Sequence, residues 1–129
     1  MSERLKENEV AQQIVDAAFH IHETLGPGLL ESVYETVLEF ELRKRGLLVQ
    51  RQWPIPLIYE GLKMDDGFRA DLIVEDCVIV EIKSLDLVPP VAYKVLLTYL
   101  RLADKRLGLL INFKEDLIKD GIKRVVNRL

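Results

Sequence analysis

The sequence predicts an α/β domain in which a central mixed β-sheet is flanked by helices. Three observations lead there. Apolar residues fall at helical spacing through the first third of the chain, then give way to short runs with the two-residue alternation of strands. A further helical stripe opens only after Pro89 and Pro90. The last long apolar run, "RLGLLINF", has no polar face, as in a strand lying inside a sheet.

The first helix is expected over Glu7 to Leu25, where Val10, Ile14, Ala17, Ala18, Ile21 and Leu25 form one stripe. Gly26 suits its C-terminal cap and Pro27 ends it. A second helix is expected from Leu30 to Arg45, stopping at Gly46. Its stripe is Leu30, Val33, Tyr34, Val37, Leu38 and Leu42, and its last turn carries Arg43, Lys44 and Arg45, where the helix dipole favours cations. Two strands, "LLVQRQ" and "IPLIYEG", should then be separated near Trp53 and Pro54, with Pro56 favouring a sheet edge. A turn is expected at Asp65, Asp66 and Gly67 before a strand from Phe68 to Val74. "EDC" makes a tight reversal into a strand from Val78 to Lys83, so those two should form an antiparallel hairpin. A third helix runs to about Asp104, and "RLGLLINF" follows. In the tail, "GIKRVV" fits either a helix or an edge strand. The expected order is αα-ββββ-α-β, then one further element.

At 129 residues the chain is read as a single domain, residues 1–129. That length buries on the order of two-thirds of the surface of the unfolded chain. No apolar run approaches the ~18 residues of a membrane span, and the charged start "MSERLKENEV" lacks a signal-peptide core, so a cytoplasmic location is expected. A single cysteine, Cys77, excludes an internal disulfide and a cysteine-rich zinc site, and is expected to act as a small core hydrophobe. A net charge of −3 argues against general affinity for nucleic acid. It leaves room for a local basic groove, and clusters occur at Arg43–Arg45, at Lys105 and Arg106, and at Lys119, Lys123, Arg124 and Arg128.

Chemistry concentrates in "FRADLIVEDCVIVEIKS". Glu81 and Lys83 end an apolar strand, where ionisable groups are costly unless partnered. Asp71 lies as far before the expected turn as Glu81 lies after it, which sets the two carboxylates side by side. Glu81 and Lys83 are two apart and share one face. Adjacent carboxylates repel and raise each other's pKa unless a cation neutralises them, and a hard divalent ion does this well. The competing reading is a structural hairpin in which Lys83 pairs with a carboxylate on an exposed face.

"D…ExK" across a hairpin, Asp71 with Glu81-Ile82-Lys83, resembles the PD-(D/E)XK nuclease superfamily. The order of elements is similar to its αβββαβ core. "GLLESVY" (Gly28, Glu31, Tyr34), "AFHIHETLGPGLLE", "GFRADL", "VIVEIK" and "LGLLINF" also resemble the GxxExxY family, over nearly the whole chain. The resemblance implies a restriction-endonuclease-like fold and a Mg²⁺- or Mn²⁺-dependent nuclease acting on nucleic acid, DNA first. It implies Asp71, Glu81 and the Ile82 carbonyl as metal ligands and Lys83 as the catalytic lysine. Glu31 becomes the helix acid that reaches the metal directly or through water. His22 is carried as a candidate supporting group, His20 has no role, and Tyr34 is read as core. Relatives often act as dimers or within larger assemblies, so self-association is expected.

One departure stands out. Many exonuclease-like members of the superfamily carry Gln-x-x-x-Tyr on the helix after the lysine strand; here Tyr99 is kept, but Val95 stands where the Gln would be. The alternative function is therefore a catalytically weak or inactive module that binds nucleic acid or a protein partner. A bland domain with a structural hairpin is the third reading, and it predicts no metal affinity.

Overall fold

A computed structural model describes residues 3–129, and the side chains of all of these but residues 3–5 and 66. Met1 and Ser2 of the charged N-terminal stretch lie outside the described residues. The chain runs α1 (Glu3–Leu25), α2 (Glu31–Lys44), β1 (Val49–Tyr59), β2 (Leu62–Val74), β3 (Val78–Lys83), α3 (Val91–Ala103), β4 (Leu107–Asn112), α4 (Ile118–Gly121) and β5 (Ile122–Val126). The strands form one five-stranded sheet in the order β1-β2-β3-β4-β5. Only β3 and β4 pair in parallel, joined by α3, and the other neighbours are antiparallel. This is the α/β mixed sheet flanked by helices that the apolar periods predict.

The sheet buries both faces. On one, Ile14, Ala17 and Ala18 of α1 and Tyr34, Leu38 and Leu42 of α2 pack against Val78, Val80 and Ile82 of β3 and alternate residues of β4. On the other, Leu96 and Leu100 of α3 pack against Ile79, Leu110 and Ile73. β4, flanked on both sides and both faces, is buried along its whole length, as its apolar run predicts. Cys77 is half-buried against the first core, and burial pushes its thiol up to about 11, which fits a packing role. No described helix is long and apolar enough to cross a membrane.

Two local expectations change, and the alternative left open in the tail is decided. The two strands expected on either side of Trp53 and Pro54 are one strand, β1, so three strands rather than four precede α3. β1 is a sheet edge, which is where Pro54 and Pro56, lacking N–H donors, are tolerated. Nor is Asp65-Asp66-Gly67 a turn. The register passes from Ile55↔Phe68 to Leu57↔Met64, so those three residues bulge out of β2 opposite Pro56 alone. The reversal is instead at Glu60 (φ 46°) and Gly61 (φ 87°), two left-handed residues joining a hairpin. In the tail, a single turn of helix precedes a true edge strand, β5.

The β1–β2 hairpin also changes face along its length. Val49, Leu72 and Val74 belong to the core under α1 and α2, whereas Ile55, Ala70 and the half-buried Trp53 and Phe68 belong to the α3 side. Val49 and Ile55 would share a face in a regular strand, as would Ala70 and Leu72. The reversal falls at Gln52, which has φ 52°, and at Asp71, which lie between the paired Arg51↔Leu72 and Trp53↔Ala70.

At the far end of the sheet, α4 closes tightly on β4. A Cβ on Gly121 would collide with the Asn112 carbonyl oxygen, a backbone atom. Gly121→Ala is therefore expected to destabilise by about 1–3 kcal/mol through overpacking, measured by urea unfolding. A change within error would show that α4 can move aside.

Candidate functional site

The site forms where β2 and β3 part. Their ladder runs Val74↔Val78, Ile73↔Ile79 and Leu72↔Val80, closed by a reversal at Glu75 and Asp76, both at positive φ. The next step in this register sets Asp71 opposite Glu81. There the backbone pairing gives way to a side chain: the Ile82 N–H donates to Asp71 Oδ2 at 2.7 Å. Because Asp71 sits at the point where β2 changes face, its carboxylate lies toward the neighbouring strand, where a ladder carbonyl would otherwise be.

Alternation along β3 sends Val78, Val80 and Ile82 into the α1/α2 core, leaving Ile79, Glu81 and Lys83 for the α3 face. Glu81 Oε1 is buried without a hydrogen-bond partner. Burial, then the negative charge of Asp71 and a hydrogen bond shared with it, push the Glu81 carboxyl up to about 9, against the pull of Lys83. At neutral pH and with no cation bound, Glu81 therefore holds a proton beside Asp71. Burial and the charges of Glu81 and Asp71 also raise the Tyr99 phenol, which puts α3 within electrostatic reach of the pair.

The chain after β3 is held from two sides. Asn112 Nδ2 donates to the Leu85 carbonyl at 2.9 Å, and its Oδ1 accepts from the Leu85 N–H at 3.0 Å. Ser84 Oγ donates to the Leu29 carbonyl at 2.6 Å, drawing the start of α2 to the end of β3. The Phe113 N–H donates to the Lys83 carbonyl at 2.9 Å. The backbone that carries Lys83 is therefore fixed by β4 and by the loop before α2.

The remaining sequence candidates fall in different places. Glu31 stands exposed on the first turn of α2, two residues from the Leu29 anchor, with no hydrogen bond or ion pair to Asp71, Glu81 or Lys83. Tyr34 is core, as read: its ring stacks on Phe113 at 4.3 Å, and its hydroxyl donates to the Gly26 carbonyl and accepts from the Leu29 N–H. His22 lies 2.8 Å from the Glu115 carbonyl through Nε2, which ties α1 to the segment after β4. His20 is exposed.

Glu35 was not among the sequence candidates. It is buried, and accepts from Arg51 Nε at 2.6 Å and from Gln52 Nε2 at 2.9 Å. Burial and, less strongly, the charge of Asp71 raise its carboxyl while Arg51 lowers it. Glu35 thus clamps the left-handed Gln52 beside Asp71. Its signal in the sequence is its place on the flank of Leu38 and Leu42, one and two turns on, at a position too inward for a solvated acid.

Among the described residues no group of three or more His, Cys, Asp or Glu side chains gathers to hold a metal. The oxygen donors that the structure brings together here are the carboxylates of Asp71 and Glu81. This set suits Mg²⁺, which binds through one or two carboxylates and keeps several waters. Glu81 Oε1, buried and without a hydrogen-bond partner, is an oxygen that such a cation would satisfy.

A chain-wide likeness agrees with this geometry. The family model of the PD-(D/E)XK nuclease superfamily matches residues 8–125. No curated protein and no solved structure matches the chain.

The raised Glu81 carboxyl has a signed consequence. Between about 4.5 and about 9 the folded state holds a proton that the unfolded chain releases, so stability without metal falls as pH rises through that window. The slope from this group is at most about 1.4 kcal/mol per pH unit. Glu81→Gln should flatten the dependence and raise the unfolding temperature in chelator at about pH 8. Identical pH profiles for the two proteins would show that Glu81 is not a buried, protonated acid.

Proposed function

The chain belongs to the PD-(D/E)XK nuclease superfamily, and on that premise we propose that it hydrolyses phosphodiester bonds in DNA with the aid of Mg²⁺ or Mn²⁺. The observation that carries the proposal is the Asp71–Glu81 pair, with one buried Glu81 oxygen left without a partner. The narrower GxxExxY assignment of Gly28, Glu31 and Tyr34, a cytoplasmic location, and action as a homodimer or within a larger assembly are parts of the same proposal.

Asp71, Glu81 and the Ile82 carbonyl would hold the cation, with Glu31 approaching through water from the first turn of α2. A bound divalent cation supplies Lewis-acid polarisation of the phosphate and of the attacking water. The protein's own groups do the rest. Asp71 is aimed by the Ile82 N–H, which occupies Oδ2 and leaves Oδ1 for the site. Glu81 gives up its proton when positive charge arrives, because its neutral form is held only by burial and by Asp71. Lys83, on the face it shares with Glu81, offsets the charge that develops on the phosphate oxygens. Its backbone is tethered, so little reorganisation is needed as that charge appears.

A second reading is a domain that holds nucleic acid without cutting it. Val95 favours it, since it lines the wall facing Glu81 and Lys83 and has no hydrogen-bond donor to offer a phosphate.

Thermal unfolding with and without millimolar Mn²⁺ or Mg²⁺ separates these readings. The cation should stabilise the wild type by about 2.7 kcal/mol at a hundred times its dissociation constant, and should stabilise neither Asp71→Ala nor Glu81→Ala. Lys83→Ala should keep that stabilisation and lose cleavage of DNA by about a hundredfold or more. Cation binding without cleavage favours the binding module. A wild type that no cation stabilises, alongside a folded Asp71→Ala, contradicts the metal site itself.

A further inference from the structure

On the α3 side of the acid pair the protein forms a pocket of about 230 Å³. Glu81 and Lys83 line it from β3, Leu110 from β4, and Ala92, Val95, Leu96 and Tyr99 from one stripe of α3. Resting on the nuclease reading above, we propose that this pocket receives a single unstacked nucleobase from the strand being cut. The substrate class is then single-stranded or frayed nucleic acid rather than the interior of a paired duplex.

Four features favour that occupant. The first is the division of the lining. Lys83 is the sole cation among its described lining residues, and the α3 wall offers alkyl groups and one aromatic ring, so a phosphate is held at the β3 side. Whatever fills the rest must be apolar on its faces and covalently close to a phosphate, and in nucleic acid that group is the base. The second is size. The pocket lies below the roughly 300–1,000 Å³ of sites for drug-sized ligands, which suits a single base better than a base pair. Base faces are covered by their neighbours in a duplex and become available only when the strand is unstacked or unpaired.

The third feature is Tyr99. Its ring sits against Phe68 at 5.6 Å with a tilt of 45°, so Phe68 braces it from the β2 side. A braced aromatic beside a cation is the arrangement on which single strands stack without sequence preference. The fourth is Val95, which is 42% exposed despite facing the pocket, and so forms an apolar rim at the entrance. A nearby base covers this rim as it enters.

A second pocket, about 660 Å³, lies at the opposite end of β3, beside Asp76 and Cys77. Its charges largely satisfy one another, with Lys105 3.4 Å from Asp76 and Arg128 3.1 Å from Asp104. It lies away from the acid pair and does not compete for this role.

The test compares one fluorescein-labelled deoxyoligonucleotide as a single strand and as a blunt duplex, using wild type, Val95→Phe and Val95→Ala. Binding is read by anisotropy in Ca²⁺, cleavage in Mn²⁺, and cation binding by thermal shift. The wild type should prefer the single strand by about tenfold or more, the scale of one stacked base. Val95→Phe, which fills the entrance, should remove most of that preference while keeping the Mn²⁺ shift. Val95→Ala, which opens the rim without new bulk, should keep the preference and guards against a misfolded Phe variant. Equal binding or cleavage of strand and duplex by the wild type overturns the proposal, as does a folded Val95→Phe that keeps the full preference. A wild type without any Mn²⁺ shift removes the nuclease reading, and the anisotropy comparison still decides whether the pocket takes a base.

Discussion

One hydrogen bond organises the functional end of this molecule: the Ile82 N–H donating to the Asp71 carboxylate. β2 and β3 pair normally up to Leu72 and Val80. One residue further, a side chain takes over the work of a backbone carbonyl. That substitution orients Asp71 in the direction of the sheet's hydrogen bonds and leaves Glu81 beside it. A buried acid next to another acid is unfavourable, and the protein meets this by keeping a proton on Glu81. The fold thus holds two carboxyl groups side by side, one of them with a buried oxygen left without a partner. Function and stability pull against each other there, as is common where a site is built into a packed element.

The supports around this point come from every layer. α2 contributes Glu35, which grips Arg51 and Gln52 and steadies the left-handed residue at which β1 changes face. A non-glycine residue at positive φ inside a strand is strained, and such strain persists where its surroundings determine it. β4 contributes Asn112, which holds Leu85 through both of its side-chain atoms. The loop before α2 contributes the Leu29 carbonyl to Ser84. Tyr34 braces that loop from below through Gly26 and Leu29. Tyr34 therefore has an architectural role: it fixes the turn that meets the end of β3.

Much of this was legible in the residues, and the failures have physical reasons. The helices follow from apolar spacing, and β3 and β4 from uninterrupted apolar runs. The Asp71–Glu81 juxtaposition follows from counting outward from the turn at Glu75 and Asp76, because a tight hairpin leaves little freedom of register. The β1–β2 hairpin was harder. Asp65-Asp66-Gly67 has the composition of a turn, and it leaves the ladder as a turn would, but as a bulge facing Pro56; composition does not distinguish the two. Gln52 carries no mark of its left-handed conformation, because its partner Glu35 lies far along the chain on another element. Glu35 stands on the flank of Leu38 and Leu42, but its role shows only once Arg51 and Gln52 are brought opposite it. Long-range pairs of this kind are set by tertiary structure and leave little trace in local pattern.

The central claim is that Asp71 and Glu81 form a cation site whose proton must leave when the cation binds. Isothermal titration calorimetry of Mn²⁺ tests it most directly, run at about pH 7.5 in buffers of different ionisation enthalpy so that protons are counted with affinity. Binding should release about one proton per cation, as Glu81 ionises, and Asp71→Ala should abolish both the heat and the release. Binding without proton release, or no binding to the folded wild type, would contradict it.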